Sequence, residues 1–555
     1  MSAFHLSRRR FIGNTLGLLG AAALPLYGYY SRFPRNNPSI QVHRPGMQMG
    51  HYLRDKQAWP KPSKQMNCDV LIIGSGAAAL TAAWKLSKEN VKDFLLIEGP
   101  EPDGNNAGMS YQELSYPTGA HYLALPTKES FHVREMLTDL GVLQKDPDSD
   151  TPTYDERVLV HAQEERLLKN DVWQDHLLPE NDSDSQRFFQ QINNLSNTKG
   201  NDGKRIFVLP SALSSQDPKW RALDRQTFAQ WLKDNHYSSP DLLWYLNYCC
   251  QDDYGQGIHQ VSAWAGLHYF ASHNAHAKHA EHAVLVWPNG LANISAQLRE
   301  KIQFKRINLF DHTTHDHMQT PLISQGSALN ITEHDTHVEV LIGTHDLAEL
   351  KTMKIHAKKI ICAAPLYISS HIVSNIEQYG FVPTEHLPVY APWLVSNFVL
   401  NRFPQEKSGT PLAWDNVIHQ GKGLGYVVST HQLIRVARPE LTAFTTYHAL
   451  DSEEPALMRA WLLNASEEEL LNLAVSDLRT AYAEDFWHYV QHVDISVRAH
   501  AMACPHQGFL HNKGLQNLQA QQGRVLFAHS DLSGFSVFEE ASWWGYQAAL
   551  RLLSA

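Results

Sequence analysis

The sequence predicts an α/β fold in which a discontinuous, Rossmann-like dinucleotide-binding domain with a β-meander is interleaved with an α+β domain. Three observations predict it. Strand, glycine-rich turn, helix and strand follow one another in "CDVLIIGSGAAALTAAWKLSKENVKDFLLIEG", a βαβ unit from Cys68 to Gly99. Strand-like alternation returns in "SALNITEHD", "THVEVLIG" and "KIHAKKIICAAP". The segment "GRVLFAHSDLSGFSVFEEASWWGYQAALRLL" is again strand, loop and helix. At 555 residues the chain exceeds one compact domain. It divides into a signal segment (1–30), a linker (31–66), and three parts of the dinucleotide domain (67–130, 285–365, 501–555). A mostly helical stretch (131–284) and a second stretch (366–500) build the other domain.

The first element is "SRRRFIGNTLGLLGAAAL", from Ser7 to Leu24. Arg8-Arg9, Phe11-Ile12 and the weakly apolar run after them have the pattern of a twin-arginine signal, read by a translocase that exports folded proteins. Gly13, Gly17, Gly20 and Gly28 hold its hydrophobicity down, and Ala21-Ala22-Ala23 offers a cleavage site. The expectation is a periplasmic or otherwise exported protein, anchored to the membrane if the signal is retained. No later run is long and apolar enough to span a bilayer. Residues 31–66 carry Pro, Arg, Lys and Gln without periodicity and read as a tether.

A net charge of −10 argues against non-specific nucleic-acid binding, and 43% apolar residues supply a core. The five cysteines include no CxxC pair, so neither a disulfide framework nor a zinc knuckle follows. Cys249-Cys250 read as buried thiols, with a redox pair as the alternative.

The chemistry starts at Gly74-Ser75-Gly76-Ala77-Ala78-Ala79. The first glycine permits a tight turn and the second lets backbone approach a pyrophosphate at a helix N-terminus. A small third residue, Ala79, keeps helix and strand close. Glu98 ends the second strand, where an acid can hydrogen-bond a ribose. Gly421-Lys422-Gly423-Leu424-Gly425 mimics this turn but leads into the strand "YVVST", so it reads as a hairpin. One dinucleotide site is expected.

The stretches "PEPDGNNAGMSYQELSYPTGAHYLALP" and "GRVLFAHSDLSGFSVFEEASWWGYQAALRLL" resemble the flavin-containing amine oxidase superfamily. That group includes monoamine and polyamine oxidases, protoporphyrinogen oxidase and carotenoid desaturases. "VLVWPNGLANISAQLREKI" and "AKKIICAAP" are similar to its connecting segments. The resemblance implies non-covalent FAD, with Gly74, Gly76 and Ala79 at the pyrophosphate and Glu98 at the adenosine ribose. Gly104-Asn105 stand where the family has Gly-Gly-Arg, and Asp103-Gly104-Asn105 departs from that pattern. Gly119, Ala120, His121 and Tyr122 match the turn beside the flavin ring, and Asp531 an acid on the ribityl chain, with His529-Ser530 replacing the usual Gly-Glu. Glu539, Glu540 and Ala541 match the start of the final helix, whose positive end would face the flavin pyrimidine edge.

The implied reaction moves a hydride from the carbon bearing nitrogen to the flavin, leaving an imine for water to hydrolyse. The substrate would be an amine, with polyamines as one class, and oxygen, a quinone or a protein as electron acceptor. Tyr122, Trp543, Trp544 and Tyr546 are candidates for an aromatic cage, or for core. Asp253, beside Asp252 in "QDDYG", could anchor an ammonium or cap a helix. His506 in "AMACPHQGF" is a candidate acid/base or substrate contact. "HNAHAKHAEH" and "HTTHDH" read as histidine-rich loops, and no metal is assigned to them. Two alternatives stay open: a desaturase- or isomerase-type flavoenzyme on an apolar molecule, and a flavin-bearing binding, scaffold or electron-transfer protein.

Overall fold

The computed structural model describes residues 38–55, 58–160, 163–273, 277, 284–311, 319–406, 411–431 and 440–554. The signal segment and most of both histidine-rich loops (His276, His279, His282, His312, His315 and His317) lie outside the described residues. The chain enters by β1 (Ser39–His43) and α1 (Met47–Arg54). Residues 39–54 are therefore ordered structure and not the tether that their composition suggested.

The βαβ unit follows as β2 (Gln65–Ile73), α2 (Ala77–Lys88) and β3 (Phe94–Glu98). Every residue of β3 is buried, as expected of a parallel strand covered on both faces. Next come β4 (Glu165–Lys169) and β5 (Val172–Gln174). The helices α3 (Ser183–Asn197), α4 (Phe228–Asp234), α5 (Pro240–Tyr254) and α6 (Ala263–Ser272) complete this block. Two local signals bound α5. Ser239 Oγ accepts from the Leu242 amide with Pro240 in the first turn, and Gly255 ends the helix at φ 70°. Asp252 and Asp253 thus fall in its last turn, where the helix dipole disfavours a negative charge.

The chain continues through α7 (Ala292–Ile302), β6 (Leu322–Gln325), β7 (Ser327–Glu333), β8 (Val338–Gly343), β9 (Thr352–Cys362) and α8 (Leu366–Ile372). It returns through β10 (Val389–Leu400), β11 (Asp415–Ile418), β12 (Tyr426–Val428), β13 (Thr442–Ala449), α9 (Pro455–Asn464) and β14 (Val490–Cys504). β15 (Val525–Phe527) and α10 (Phe538–Leu553) follow.

One sheet contains the run β6-β3-β2-β9-β8-β7, with the short strand Lys305–Arg306 beside β6. Leu95 of β3 lies between Leu71 of β2 and Leu322 of β6, all in parallel register. β7, β8 and β9, the strands expected from the alternating sequence, pair as an antiparallel meander. β9 also pairs in parallel with β15, Ile360↔Val525 to Cys362↔Phe527. The other sheet runs β1-β14-β10-β13-β12-β11-β4-β5. Its core gathers Leu394, Phe398, Phe444 and Val493, separate from the core of the first sheet around Leu71, Leu95 and Ile361. This is the mixed α/β architecture that the sequence predicts.

Candidate active site

A cavity of about 870 Å³ lies between the two sheets, within the usual range for small-molecule sites. It opens at the C-terminal ends of β2, β3 and β9, where parallel α/β sheets bind ligands. Gly74, Ser75, Gly76, Ala77 and Ala78 line this end, whereas Ala79 is fully buried behind them. Gly74 has φ 106°, and a Cβ there would sit 3.1 Å from the Ala363 carbonyl oxygen. The turn can be built only from glycine.

Two further loops complete the cradle. Ala120 N donates to Asn105 O at 2.7 Å, and a Cβ on Gly119 would lie 2.1 Å from that same oxygen. The turns 103–106 and 117–120 therefore touch backbone to backbone. Asn106 is 6% exposed, borders the cavity and leaves its Nδ2 without a partner. No arginine stands in Asp103-Gly104-Asn105, but one reaches these loops from another strand. Arg498 on β14 donates Nε to Thr118 O (2.7 Å), pairs with Glu101 (2.7 Å) and reaches Asn105 Oδ1 at 3.3 Å. β14 delivers it at an irregularity, since Ala391↔Met502 is followed by Trp393↔Arg498 and residues 499–501 leave the ladder.

Asp531 also lines the wall, buried, accepting from the Leu366 amide (2.9 Å) and the Tyr390 hydroxyl (2.7 Å). Burial alone would raise its pKa, but His529 and those two donors hold it below the ordinary carboxylate range. Val537, Phe538, Glu539 and Ala541 bring the start of α10 to the cavity. Glu540 turns away, accepting from Ser211 N and from Ser533 Oγ, each at 2.5 Å.

At the other end Tyr122, His121, Asp252, Asp253, Trp393 and Tyr447 converge. His121 packs against Tyr447 (ring centroids 4.6 Å), Tyr122 (4.9 Å) and Trp414 (5.5 Å). Burial pushes its pKa down to about 3, so the imidazole is neutral. Burial raises Asp252 and Asp253 each to about 7, and mutual repulsion adds to Asp252. Glu539 is raised to about 7 for the same reason, opposed by His273. Among the described residues no lysine or arginine forms an ion pair with Asp252 or Asp253. Trp393 Nε1 is buried and unpartnered on this wall.

Several expectations are corrected. Trp543, Trp544 and Tyr546 are core and do not line the cavity: Trp544 Nε1 donates to Ser533 Oγ (2.7 Å) and Tyr546 Oη to Glu135 (2.8 Å). His506 is also absent from the wall, and its backbone bridges to Val261. Glu98 is 2% exposed and is not among the lining residues, with one oxygen on Arg299 (2.9 Å) and the other on Arg306 (2.5 Å). The expected hairpin is present, as β11 and β12 are antiparallel about Gly421–Gly425. Its amides hold a carboxylate instead of a phosphate: Lys422 N and Gly425 N donate to Asp477 at 3.1 and 3.0 Å. All five cysteines are free and buried. Sequence reasoning missed Trp393, Tyr447 and Arg498, which sit mid-strand in alternating runs with no motif around them.

The fold is shared with solved amine oxidases and with an isomerase. The structure of putrescine oxidase with putrescine bound matches at TM-score 0.59 and 14% identity, over 88% of this chain and all of that one. Cyclohexylamine oxidase from Brevibacterium oxydans matches at TM-score 0.57 and 15% identity, covering 88% and 99%. A fatty acid isomerase from P. acnes that produces CLA shares the fold at TM-score 0.51 and 14% identity, covering 87% and 98%. A family profile described as an NAD(P)-binding Rossmann-like domain matches residues 72–140. No curated protein matches the sequence.

Proposed function

We propose that this protein is an FAD-dependent oxidoreductase that oxidises an amine. One observation carries the reading: an acidic, aromatic chamber stands at the far end of a cavity whose near end is a dinucleotide cradle. The glycine turn, the Gly119–Asn105 contact and the orphaned Asn106 amide fit a bound FAD held without a covalent link. When bound, the flavin supplies a two-electron acceptor for hydride from the carbon bearing nitrogen.

The chain's own residues then have separable tasks. Tyr122, His121, Tyr447 and Trp393 offer aromatic surface that excludes water and favours a cation. Asp252 and Asp253 attract the ammonium form, and their raised pKa lets either take its proton, leaving the neutral amine that can give up hydride. His121, neutral and unable to donate from a charged ring, does not repel the incoming cation. The shared fold with a fatty acid isomerase means that the fold alone does not choose the substrate. The unpaired acids support the amine.

The test is optical. The purified protein should show a flavin spectrum, release FAD into the acid supernatant, and bleach when an amine is added without oxygen. A flavoprotein that no amine in a mono-, di- and polyamine panel can bleach would refute the amine reading. We propose further that the protein is exported already folded, on the strength of Arg8-Arg9 and the weakly apolar run behind them. Arg8→Lys with Arg9→Lys should leave it in the cytoplasm, and unchanged export would refute the assignment.

A further inference from the structure

Residues 38–55 cross the cavity between the two domains. At one end β1 pairs in parallel along β14, Ser39↔His492 to His43↔Ser496, as the edge of the second sheet. Two side-chain ties secure it: Ser39 Oγ lies 2.6 Å from His492 Nδ1, and His43 Nε2 lies 2.6 Å from Asp494 Oδ1. At the other end α1 buries Met49 and Leu53 in the core of the first domain and packs on α8. Between these anchors the chain turns at Gly46, φ 69°, and Arg44, Met47, Gly50, His51 and Arg54 form cavity wall. A Cβ built on Gly46 lies 4.0 Å from Pro100 Cβ, directly after the end of β3. In a dinucleotide-binding βαβ unit that position is the adenosine end.

We propose that residues 38–55 are a third component of the cofactor site, a strap that closes over the adenosine half of FAD and must lift for the cofactor to enter or leave. This rests on the FAD reading above. Three features support a closing strap over a fixed wall. The segment is continuous with neither sheet's interior, since β1 is an edge strand and α1 is a single short helix. Its buried hold on the first domain is two apolar side chains, Met49 and Leu53. Arg44, which donates to Ala465 O at 3.4 Å, also brings a cation to the wall of a site for a diphosphate ligand, and a guanidinium suits phosphate oxygens, whereas Arg54 on the same wall is paired with Asp55 (2.8 Å).

The experiment locks the strap. The left-handed backbone at Gly46 disfavours a side chain, but a Cβ separation of 4.0 Å suits a disulfide, so Gly46→Cys is combined with Pro100→Cys. Flavin fluorescence then follows FAD uptake by the deflavinated protein and FAD release by the holoprotein, oxidised and reduced. The oxidised pair should take up and release FAD at least about 100-fold more slowly than the same protein after reduction, and each single-cysteine variant should ignore the reductant. Equal rates in the oxidised and reduced forms would overturn the strap. Wild-type protein that binds no flavin would overturn the FAD reading itself, and the two failures are therefore distinct. If the pair does not fold, Leu53→Asp frees the other anchor: release should quicken about tenfold or more, and an unchanged release rate from folded protein would overturn the proposal.

Discussion

The two ends of the cavity are built in different ways. At the glycine-turn end the floor is backbone and small residues, and five of them, Gly74 to Ala78, are consecutive. At the acidic, aromatic end the wall is made of side chains: Tyr122 and His121 from one turn, Asp252 and Asp253 from α5, Trp393 from β10 and Tyr447 from β13. A backbone cradle depends on what is absent, namely Cβ atoms. A side-chain chamber depends on what several distant segments deliver together. The first tolerates almost no substitution, whereas the second can be retuned residue by residue.

The largest effect is expected where backbone meets backbone. Gly119→Val would drive a Cβ against Asn105 O, so the two loops must part. Overpacking of this kind costs about 3 kcal/mol or more. The variant should purify without flavin, and a normal flavin-to-protein ratio would break the account of the cradle. At the acidic, aromatic end, Asp252→Asn with Asp253→Asn should retain flavin yet raise KM for an amine by roughly 10–100-fold, the value of a charge-assisted hydrogen bond. Wild-type amine binding should also strengthen as pH rises through about 7, because both carboxylates ionise there. The double variant should lose that dependence.

The same two acids make a stability prediction of known sign. Their folded pKa of about 7 lies above the ordinary 3.8, so the folded state holds protons that the unfolded state has lost. Substrate-free protein should therefore lose stability as pH rises from about 4 to about 7, and the double Asn variant should show a flatter melting curve against pH. The smallest effect tests a distant side chain that ties the loops of the glycine-turn end together. Arg498→Met removes the tie from Glu101 to Thr118 and Asn105 and should weaken FAD binding about tenfold by titration, or about 1.4 kcal/mol. Unchanged affinity would show that the loops hold each other without it.

This contrast explains what could be read from the sequence. The βαβ unit, the meander and the hairpin decoy were legible because periodicity and glycine spacing are local properties. Gly74–Ala78, Gly119–Tyr122, Asp531 and Asp253 were legible because each sits in a short motif, and all of these line the cavity. Trp544 misled because an aromatic pair beside a flavin-binding helix start is a sound local cue, yet the helical turn aims Trp544 at Ser533 and into the core. Glu98 misled more subtly. Its place at the strand end was right, but Arg299 and Arg306, about 200 residues later in the chain, engage both of its oxygens. Residues 39–54 lacked any clear period because a five-residue edge strand and an eight-residue helix are too short to display one.

β9 carries a consequence for how the protein is made. Its first half is satisfied by β8, which precedes it, but its last residues need Val525–Phe527 as a partner. The helix start at Phe538 and Glu539, and Asp531 before it, are cavity wall as well. On a translating ribosome the amino-terminal βαβ unit would therefore emerge hundreds of residues before its pocket has a complete wall. Domains can fold as they are synthesised when their parts are contiguous. Here they are not, so the cavity has a complete wall only after the last of its residues, at the start of α10, have been made.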